Sequence, residues 1–281
     1  MASVTENERF FYGYDELSNS WVRFGFDGTV LQTWPDAKDL SPIAAAQYIN
    51  GVLYAYDVNG YFYTIDTETF QRTLMGNGIH GLTTSLEAWD KSHNEQVYYV
   101  DNIPYIMIDM TYTTDDFGNS TMYGVMMAYS VSDWRDSFSY IIAELNMETG
   151  KIKRIILQDA LVDGMSLRPT NLIFRGGYLY TINGYITGMI TQINPSTGAA
   201  TGTVICPDYW GDFNGGRSLI EDPITGEVYA IRDMRTMYIG EPEYAGGFAT
   251  STLCKIALGV GYVDQIANVG ANMRITGMFI K

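Results

Sequence analysis

The sequence predicts an all-β protein, a β-propeller of five blades with four antiparallel strands in each blade. Three observations support this fold class. Short segments of alternating apolar and polar residues recur along the chain, tight turns that begin with Asp or Asn separate them, and helix signals are nearly absent. Four short strands in about 40–55 residues, repeated, are typical of propeller blades. A β-sandwich or a β-helix built from similar hairpins is the alternative.

The first recurring unit is a strand followed by a turn with Asp or Asn at its first position. Its copies read YFYTIDTET at 61–69, IIAELNMETG at 141–150 and MITQINPSTG at 189–198, with shorter or looser copies at 24–29 and 253–259. Asp or Asn favours these turns because its side chain can accept hydrogen bonds from the backbone ahead. We therefore predict a tight connection between the third and fourth strands, C and D, of each blade.

A second recurring unit is a strand with paired aromatic or β-branched residues that precedes the first unit. Its copies lie at 52–56, 97–100, 122–125, 178–182 and 228–231. Alternation of this kind between turn residues indicates a strand with one face in the core.

The two units divide the chain into four complete blades, over 43–76, 105–157, 167–206 and 216–269. The ends of the chain supply the fifth blade. A lone strand at 273–280 pairs with three N-terminal strands at 10–14, 21–26 and 29–34, which closes the ring and protects its edges. Residues 77–104 predict a hairpin without two further strands, so they are either an insertion or a degenerate sixth blade. The prediction is one domain over 1–281, with five blades and six as the alternative.

The pattern Leu-Tyr-x-Ile-Asp-x-x-Thr-Gly, preceded by a Met-x-Tyr-Gly hairpin, is best represented over 108–112, 122–125 and 146–150. It resembles the repeats of extracytoplasmic bacterial β-propellers, which are often secreted or on the cell surface and often lie beside immunoglobulin-like modules. The resemblance implies the architecture and an extracellular or cell-surface location. It carries no catalytic residues, so function does not follow from it. Residues 1–8 show no signal peptide, which indicates either a cytosolic protein or a chain whose leader is absent from this sequence, and we expect the latter.

The charge of the chain excludes several classes of partner. Its 17 Lys and Arg residues stand against 32 Asp and Glu residues, which gives a formal net charge of −15. Nucleic acid binding needs clustered cations, and an anionic membrane surface repels such a chain. No apolar stretch is long enough to insert into a membrane. The two cysteines, Cys206 and Cys254, make neither a metal motif nor a disulfide framework, and one bridge between them stays open.

The blade assignment also predicts two unequal faces. The C–D and most A–B connections are tight, whereas the long B–C and D–A connections lie together on the opposite face. Long loops on a rigid scaffold are where binding residues concentrate, and aromatic rings offer flat apolar area to a ligand. We predict that ligand contacts come from Trp34, Trp134, Tyr209, Trp210, Asp212 and Tyr244. The alternative is that these aromatic side chains cap the blade ends as part of the core.

These observations favour a non-catalytic protein that binds a protein or glycan ligand, as a monomeric module of a longer chain. No catalytic residue, metal ligand or cofactor is predicted. Calcium at 115–120 is a weaker alternative to an ordinary turn, because the regular spacing and bidentate Glu of a calcium loop are missing. The alternative function is a hydrolase or lyase that acts on a carbohydrate or lactone with acidic residues in the central funnel. A scaffold module without a ligand of its own is a third hypothesis.

Overall fold

The computed structural model describes residues 9–90, 96–130, 137–162, 165–183, 189–205, 216–233, 251–271 and 273–281. These ranges contain 24 β-strands and no helix. Accordingly, no helix in them is long and apolar enough to cross a membrane.

Five four-stranded antiparallel sheets form the blades of a β-propeller, each running from an inner strand A to an outer strand D. Blade 1 contains, in that order, β24 (Ile275–Ile280), β1 (Phe11–Asp15), β2 (Ser20–Phe24) and β3 (Val30–Pro35). Blade 2 contains β4 (Ile43–Ile49), β5 (Val52–Asp57), β6 (Phe62–Ile65) and β7 (Arg72–Gly76). Blade 3 contains β10 (Ile106–Thr114), β11 (Ser120–Ser130), β12 (Ser137–Leu145) and β13 (Ile152–Gln158). Blade 4 contains β16 (Ile173–Arg175), β17 (Tyr178–Ile182), β18 (Met189–Ile193) and β19 (Ala200–Ile205). Blade 5 contains β20 (Gly216–Glu221), β21 (Val228–Asp233), β22 (Ser251–Ala257) and β23 (Tyr262–Asn268). The predicted fold class and the assignment of five blades are confirmed.

The inner strands form a closed ring around the axis. Each contacts the inner strands of the two neighbouring blades, in the order β24, β4, β10, β16, β20 and back to β24. Strands β10 and β20 also contact each other, although their blades are not neighbours in the ring. The centre of the ring is therefore narrow enough for inner strands to meet across it.

The ring closes within blade 1, as the sequence predicts. Strand β24 pairs antiparallel with β1, with Phe11 opposite Ile280 and Asp15 opposite Ile275. Backbone hydrogen bonds in both directions between Phe10 and Lys281 extend this pairing to the C-terminus. Closure by the two ends of the chain gives both terminal strands a hydrogen-bonding partner.

Apolar side chains fill the space between neighbouring blades. Five hydrophobic clusters occupy the five blade interfaces, one each. Between blades 1 and 2, for example, the fully buried rings of Tyr14 and Trp21 pack near Phe70. Cys254, on β22, is a buried free thiol.

Two further hairpins lie in the connections between blades. The first consists of β8 (Thr83–Asp90) and β9 (Gln96–Pro104), and the second of β14 (Leu161–Val162) and β15 (Met165–Ser166). The pair β8–β9 packs against β11 and β12 of blade 3, and no described strand pairs with it as a third. Residues 77–104 are thus an insertion between blades 2 and 3, and not a sixth blade.

Candidate functional site

The two faces of the propeller carry connections of different length. On one, which we call the turn face, the A–B and C–D connections contain at most six residues, as in 66–71. Asp66 is the first residue of that turn and stabilises it, because its Oδ1 accepts hydrogen bonds from the amides of Glu68 and Thr69 at 2.9 and 2.7 Å. On the other, which we call the loop face, the B–C and D–A connections include 77–105, 206–215 and 234–250. The predicted asymmetry is confirmed by the order of the strands.

Buried carboxylates at the end of the B strands shape two B–C connections on the loop face. Asp57 accepts hydrogen bonds from the amides of Asn59 and Tyr61 at 2.9 and 3.0 Å. Asp15 accepts from the amide of Arg274 at 2.8 Å and from the Ser18 hydroxyl at 2.6 Å. Both side chains are about 2% exposed. The sequence analysis missed them, although both follow a Tyr-x-Tyr strand, as YGYD at 12–15 and YAYD at 54–57.

An aromatic ladder lies on the side of blade 3 that faces blade 4. Tyr129 of β11 is directly opposite Phe138 of β12, and their ring centroids are 6.5 Å apart. Phe138 stacks in turn on Tyr140 at 6.1 Å, and the Arg168 guanidinium lies 4.7 Å from the centroid of Phe138. Tyr140 is buried, which raises the pKa of its hydroxyl, whereas Tyr129 is 37% exposed. The ladder ends at connection 131–136, so the strands that carry it also support the loop that contains Trp134.

Unpaired polar atoms lie in the neighbouring side of blade 4. Thr181 and Thr191 are directly opposite each other on β17 and β18, on the strand face that packs towards blade 3. Both side chains are completely buried, and neither hydroxyl has a hydrogen-bond partner among the residues that the structure describes. The Nδ2 atom of Asn171 is in the same situation, while its Oδ1 accepts from the Ile182 amide at 3.0 Å. Buried polar groups of this kind are normally satisfied by ordered water or a ligand.

We call the surface at the loop-face end of the interface between blades 3 and 4 the 3–4 surface. It is formed by the partly exposed side chains of Tyr129, Phe138 and Arg168. Tyr140, Asn171, Thr181 and Thr191 are buried and do not reach this surface. The two stacked rings offer flat apolar area, which suits a ligand with an apolar face.

A hydrogen-bonded chain occupies the opposite side of blade 3. The buried Tyr105 hydroxyl lies 2.6 Å from Ser139 Oγ, which donates to Asp159 Oδ2 at 2.9 Å. The other oxygen, Oδ1, accepts from the Tyr140 amide at 2.8 Å. The carboxylate thus joins the D–A connection to β12 and fixes the base of the loop face at this blade.

The predicted site residues fall in two groups. Trp34 is the only one of the six among the described residues, at the end of β3, where it is half-buried. Its ring centroid is 4.6 Å from that of Phe70 and 6.2 Å from that of Tyr12, so it packs between blades 1 and 2. Trp134, Tyr209, Trp210, Asp212 and Tyr244 lie outside the described residues, as does Cys206. Their assignment to the ligand site stays a prediction.

The turn at Asp115 is held by its own hydrogen bonds. Its Oδ1 accepts from the amides of Phe117 and Asn119, at 2.9 and 2.8 Å, and its Oδ2 accepts from the Asn119 side chain. Among the described residues, no group of three or more His, Cys, Asp or Glu side chains could hold a metal ion.

Comparison with known proteins identifies no family. No family model and no curated protein matches the sequence. Similar solved structures include a Bacteroides caccae protein of unknown function, with 10% identity over 97% of this chain and 98% of that chain and a TM-score of 0.48. A GH43 β-1,3-galactosidase with galactodeoxynojirimycin has 13% identity, coverage of 84% and 79%, and a TM-score of 0.48. Myxococcus xanthus glutaminyl cyclase has 10% identity, coverage of 79% and 80%, and a TM-score of 0.43. At these values the similarity assigns no activity to this chain.

Proposed function

We propose that this propeller is a non-catalytic binding protein that holds a glycan or protein ligand on its loop face. The observation that carries the proposal is the 3–4 surface. There the partly exposed rings of Tyr129 and Phe138 stack on each other at the end of strands β11 and β12, and the Arg168 guanidinium lies over Phe138. Sugar rings stack on exposed aromatic rings of this kind. The stacked rings therefore support a glycan as the ligand.

The location of the protein is a separate part of the proposal. The resemblance of its repeats to extracytoplasmic bacterial propellers supports a secreted or cell-surface protein, as one module of a longer chain. The excess of acidic residues also fits a ligand other than nucleic acid or an anionic membrane.

A glycan array probed with the purified protein, with calcium and then with chelator, tests the proposal. We expect specific hits that survive chelation. Tyr129→Ala should weaken the best hit at least about tenfold, as expected for an aromatic anchor. Tyr178→Ala on the turn face is the matched control, because Tyr178 is 39% and Tyr129 37% exposed.

Each outcome decides one part of the proposal. A hit that Tyr129→Ala leaves unchanged would exclude the 3–4 surface as the site. Loss of binding in Trp134→Ala or Trp210→Ala would add those predicted residues to it. An array without hits would exclude the glycan and leave a protein ligand. Sensitivity to chelator would contradict a metal-free site.

A further inference from the structure

Bulky apolar side chains are exposed at every described A–B connection on the turn face. Val52 and Tyr178 directly follow their turns and are 37% and 39% exposed. Ile224 and Phe117 lie within their turns and are 59% and 91% exposed. We call these four residues the apolar ring. The inner strands surround the axis, so the turns that follow them surround its exit on this face.

Contacts between neighbouring turns fix the positions of the ring. The Asn50 side chain donates a hydrogen bond to Ser120 Oγ at 2.9 Å, which joins the turns of blades 2 and 3. Arg175 of blade 4 pairs with Glu221 of blade 5, with 3.5 Å between Nε and Oε2. The ring is thus presented by turns that are tied to each other, as binding surfaces on rigid scaffolds are.

The fold itself does not require an apolar side chain at these exposed positions. At Phe117, only the backbone amide takes part in the turn, as a donor to Asp115. Fully exposed aromatic side chains add nothing to the core, and soluble proteins rarely concentrate them on one surface without a partner. Among the described residues, the C–D turns and the positions that directly follow them expose two large apolar side chains, Val260 and Tyr262, and both belong to blade 5. The apolar residues are therefore concentrated around the axis.

Charge around the ring indicates the chemistry of the partner. The turn-face connections carry eight carboxylates, at Asp27, Asp66, Glu68, Asp115, Asp116, Glu148, Asp222 and Glu227. Asp222 is buried in an ion pair with Arg9, Glu68 pairs with Lys281, and Glu227 pairs with Lys255. The other five are exposed, and the only cation in these connections is Lys151, so the exposed surface is acidic. Such a surface repels an anionic membrane and also a second copy of a chain with a net charge of −15. Aliphatic side chains such as Val52 and Ile224 offer no flat face to a sugar.

Three of these carboxylates keep their charge in mildly acidic solution. Turn hydrogen bonds hold the pKa of each below its usual value. The main donor is the Thr29 amide for Asp27, the Thr69 amide for Asp66 and the Asn119 side chain for Asp115. The acidic edge of the ring is thus a permanent feature of this face.

We propose that the apolar ring docks a protein partner whose contact surface is apolar at its centre and rich in Lys and Arg at its edge. This second interface lies on the face opposite the loop face, so that the protein can hold a ligand and a partner together. Its existence does not depend on the identity of the ligand or on the 3–4 surface.

Selection from a random dodecapeptide phage library against the immobilised full chain tests this proposal. Each round is counter-selected with the Phe117→Asp/Ile224→Asp variant. We expect enriched peptides that combine Lys or Arg with Leu, Ile or Phe, and binding that weakens with salt. Phe117→Asp should weaken their binding at least about tenfold. Leu161→Asp, at a residue that is 70% exposed on the loop face, should leave it unchanged.

The negative results are equally defined. Peptides without a basic and apolar bias, or equal binding by Phe117→Asp and Leu161→Asp, would overturn the proposal. Self-association in sedimentation equilibrium that Phe117→Asp abolishes would replace the basic partner with a second copy. Because all substituted side chains are exposed, unchanged thermal unfolding confirms that the variants are folded.

Discussion

Replacing Gly277 with Ala tests how the ring closes. Strand β24 approaches β4 so closely that a Cβ at Gly277 would lie 2.8 Å from the Ala46 backbone nitrogen and 2.7 Å from its Cβ. Gly277 also has a φ of +56°, in the left-handed region. The substitution therefore adds a backbone conformation that costs about 1 kcal/mol and a steric overlap that costs a further ~2 kcal/mol. We expect the free energy of unfolding to fall by about 3 kcal/mol.

Gly51→Ala is the matched control. Gly51 has a φ of +90°, but nothing lies within 4 Å of the position that its Cβ would take. This variant should lose only about 1 kcal/mol, from the backbone term alone. Urea unfolding followed by tryptophan fluorescence, with the slope compared between variants, measures both losses.

The two variants separate steric overlap from backbone strain. Since Gly51 has the larger φ, strain alone would make Gly51→Ala at least as costly as Gly277→Ala. Equal losses would refute the idea that closure depends on the contact between β24 and β4. The same result would remove the structural reason for a small side chain at Ala46.

Two further substitutions test buried charge. Burial raises the pKa of Asp109 well above its usual value, so the folded state holds this proton to higher pH than the unfolded state, whose pKa is about 3.9. The stability that this proton contributes is lost as the pH rises from the unfolded-state pKa towards the folded-state pKa. We therefore expect the difference in unfolding free energy, wild type minus Asp109→Asn, to fall as the pH rises above 4. A flat difference would contradict this. Arg72 forms a buried ion pair with Asp36 and donates to the Ser41 carbonyl at 2.7 Å. Arg72→Met should cost about 3 kcal/mol in urea unfolding, and adding Asp36→Leu should recover part of the loss, because the uncompensated charge is removed. A double variant less stable than Arg72→Met would refute this role.

The blades and tight turns were predictable because they depend on local signals. Alternation fixes each strand, and the Asp or Asn that opens a turn bonds amides two or three residues ahead, as Asp66 does. Closure by the C-terminal strand was also predictable, since one strand was in excess at one end and one was missing at the other. The insertion at 77–104 was left open because membership in a sheet depends on distant strands.

Contacts between blades were not predictable, since they join residues far apart in sequence. Trp34 lies at the end of β3, and nothing in the sequence around it predicts which residues it contacts. The fold places the ring centroid of Phe70, from the next blade, 4.6 Å from that of Trp34. Arg168 likewise reaches Phe138 from the D–A connection that follows blade 3, and no local signal predicts that contact. A visible signal did exist for Asp109 and Asp57, which are single acidic residues in or directly after apolar strands.

Asp109 also bears on the choice between binding and catalysis. Its Oδ2 accepts hydrogen bonds from the amides of Leu172 and Leu219, at 2.9 and 3.2 Å, and these residues belong to blades 4 and 5. Its Oδ1 accepts from Met110 of its own blade. Blades 3 and 5 are not neighbours, so this carboxylate lies where the inner strands meet at the axis. It is 2% exposed. Its hydrogen bonds join blades 3, 4 and 5.

A catalytic carboxylate in a central funnel would have to reach solvent and a substrate. Asp109, which the described inner strands place at the axis, is instead buried and accepts hydrogen bonds from backbone amides. A hydrolase or lyase would take its acidic residues from connections of the loop face, and 206–215 and 234–250 carry Asp208, Asp212, Glu241 and Glu243 in sequence. Those connections belong to the loop face. The binding and the catalytic hypotheses thus predict ligand on the same face, and they differ in whether a bound glycan is cleaved.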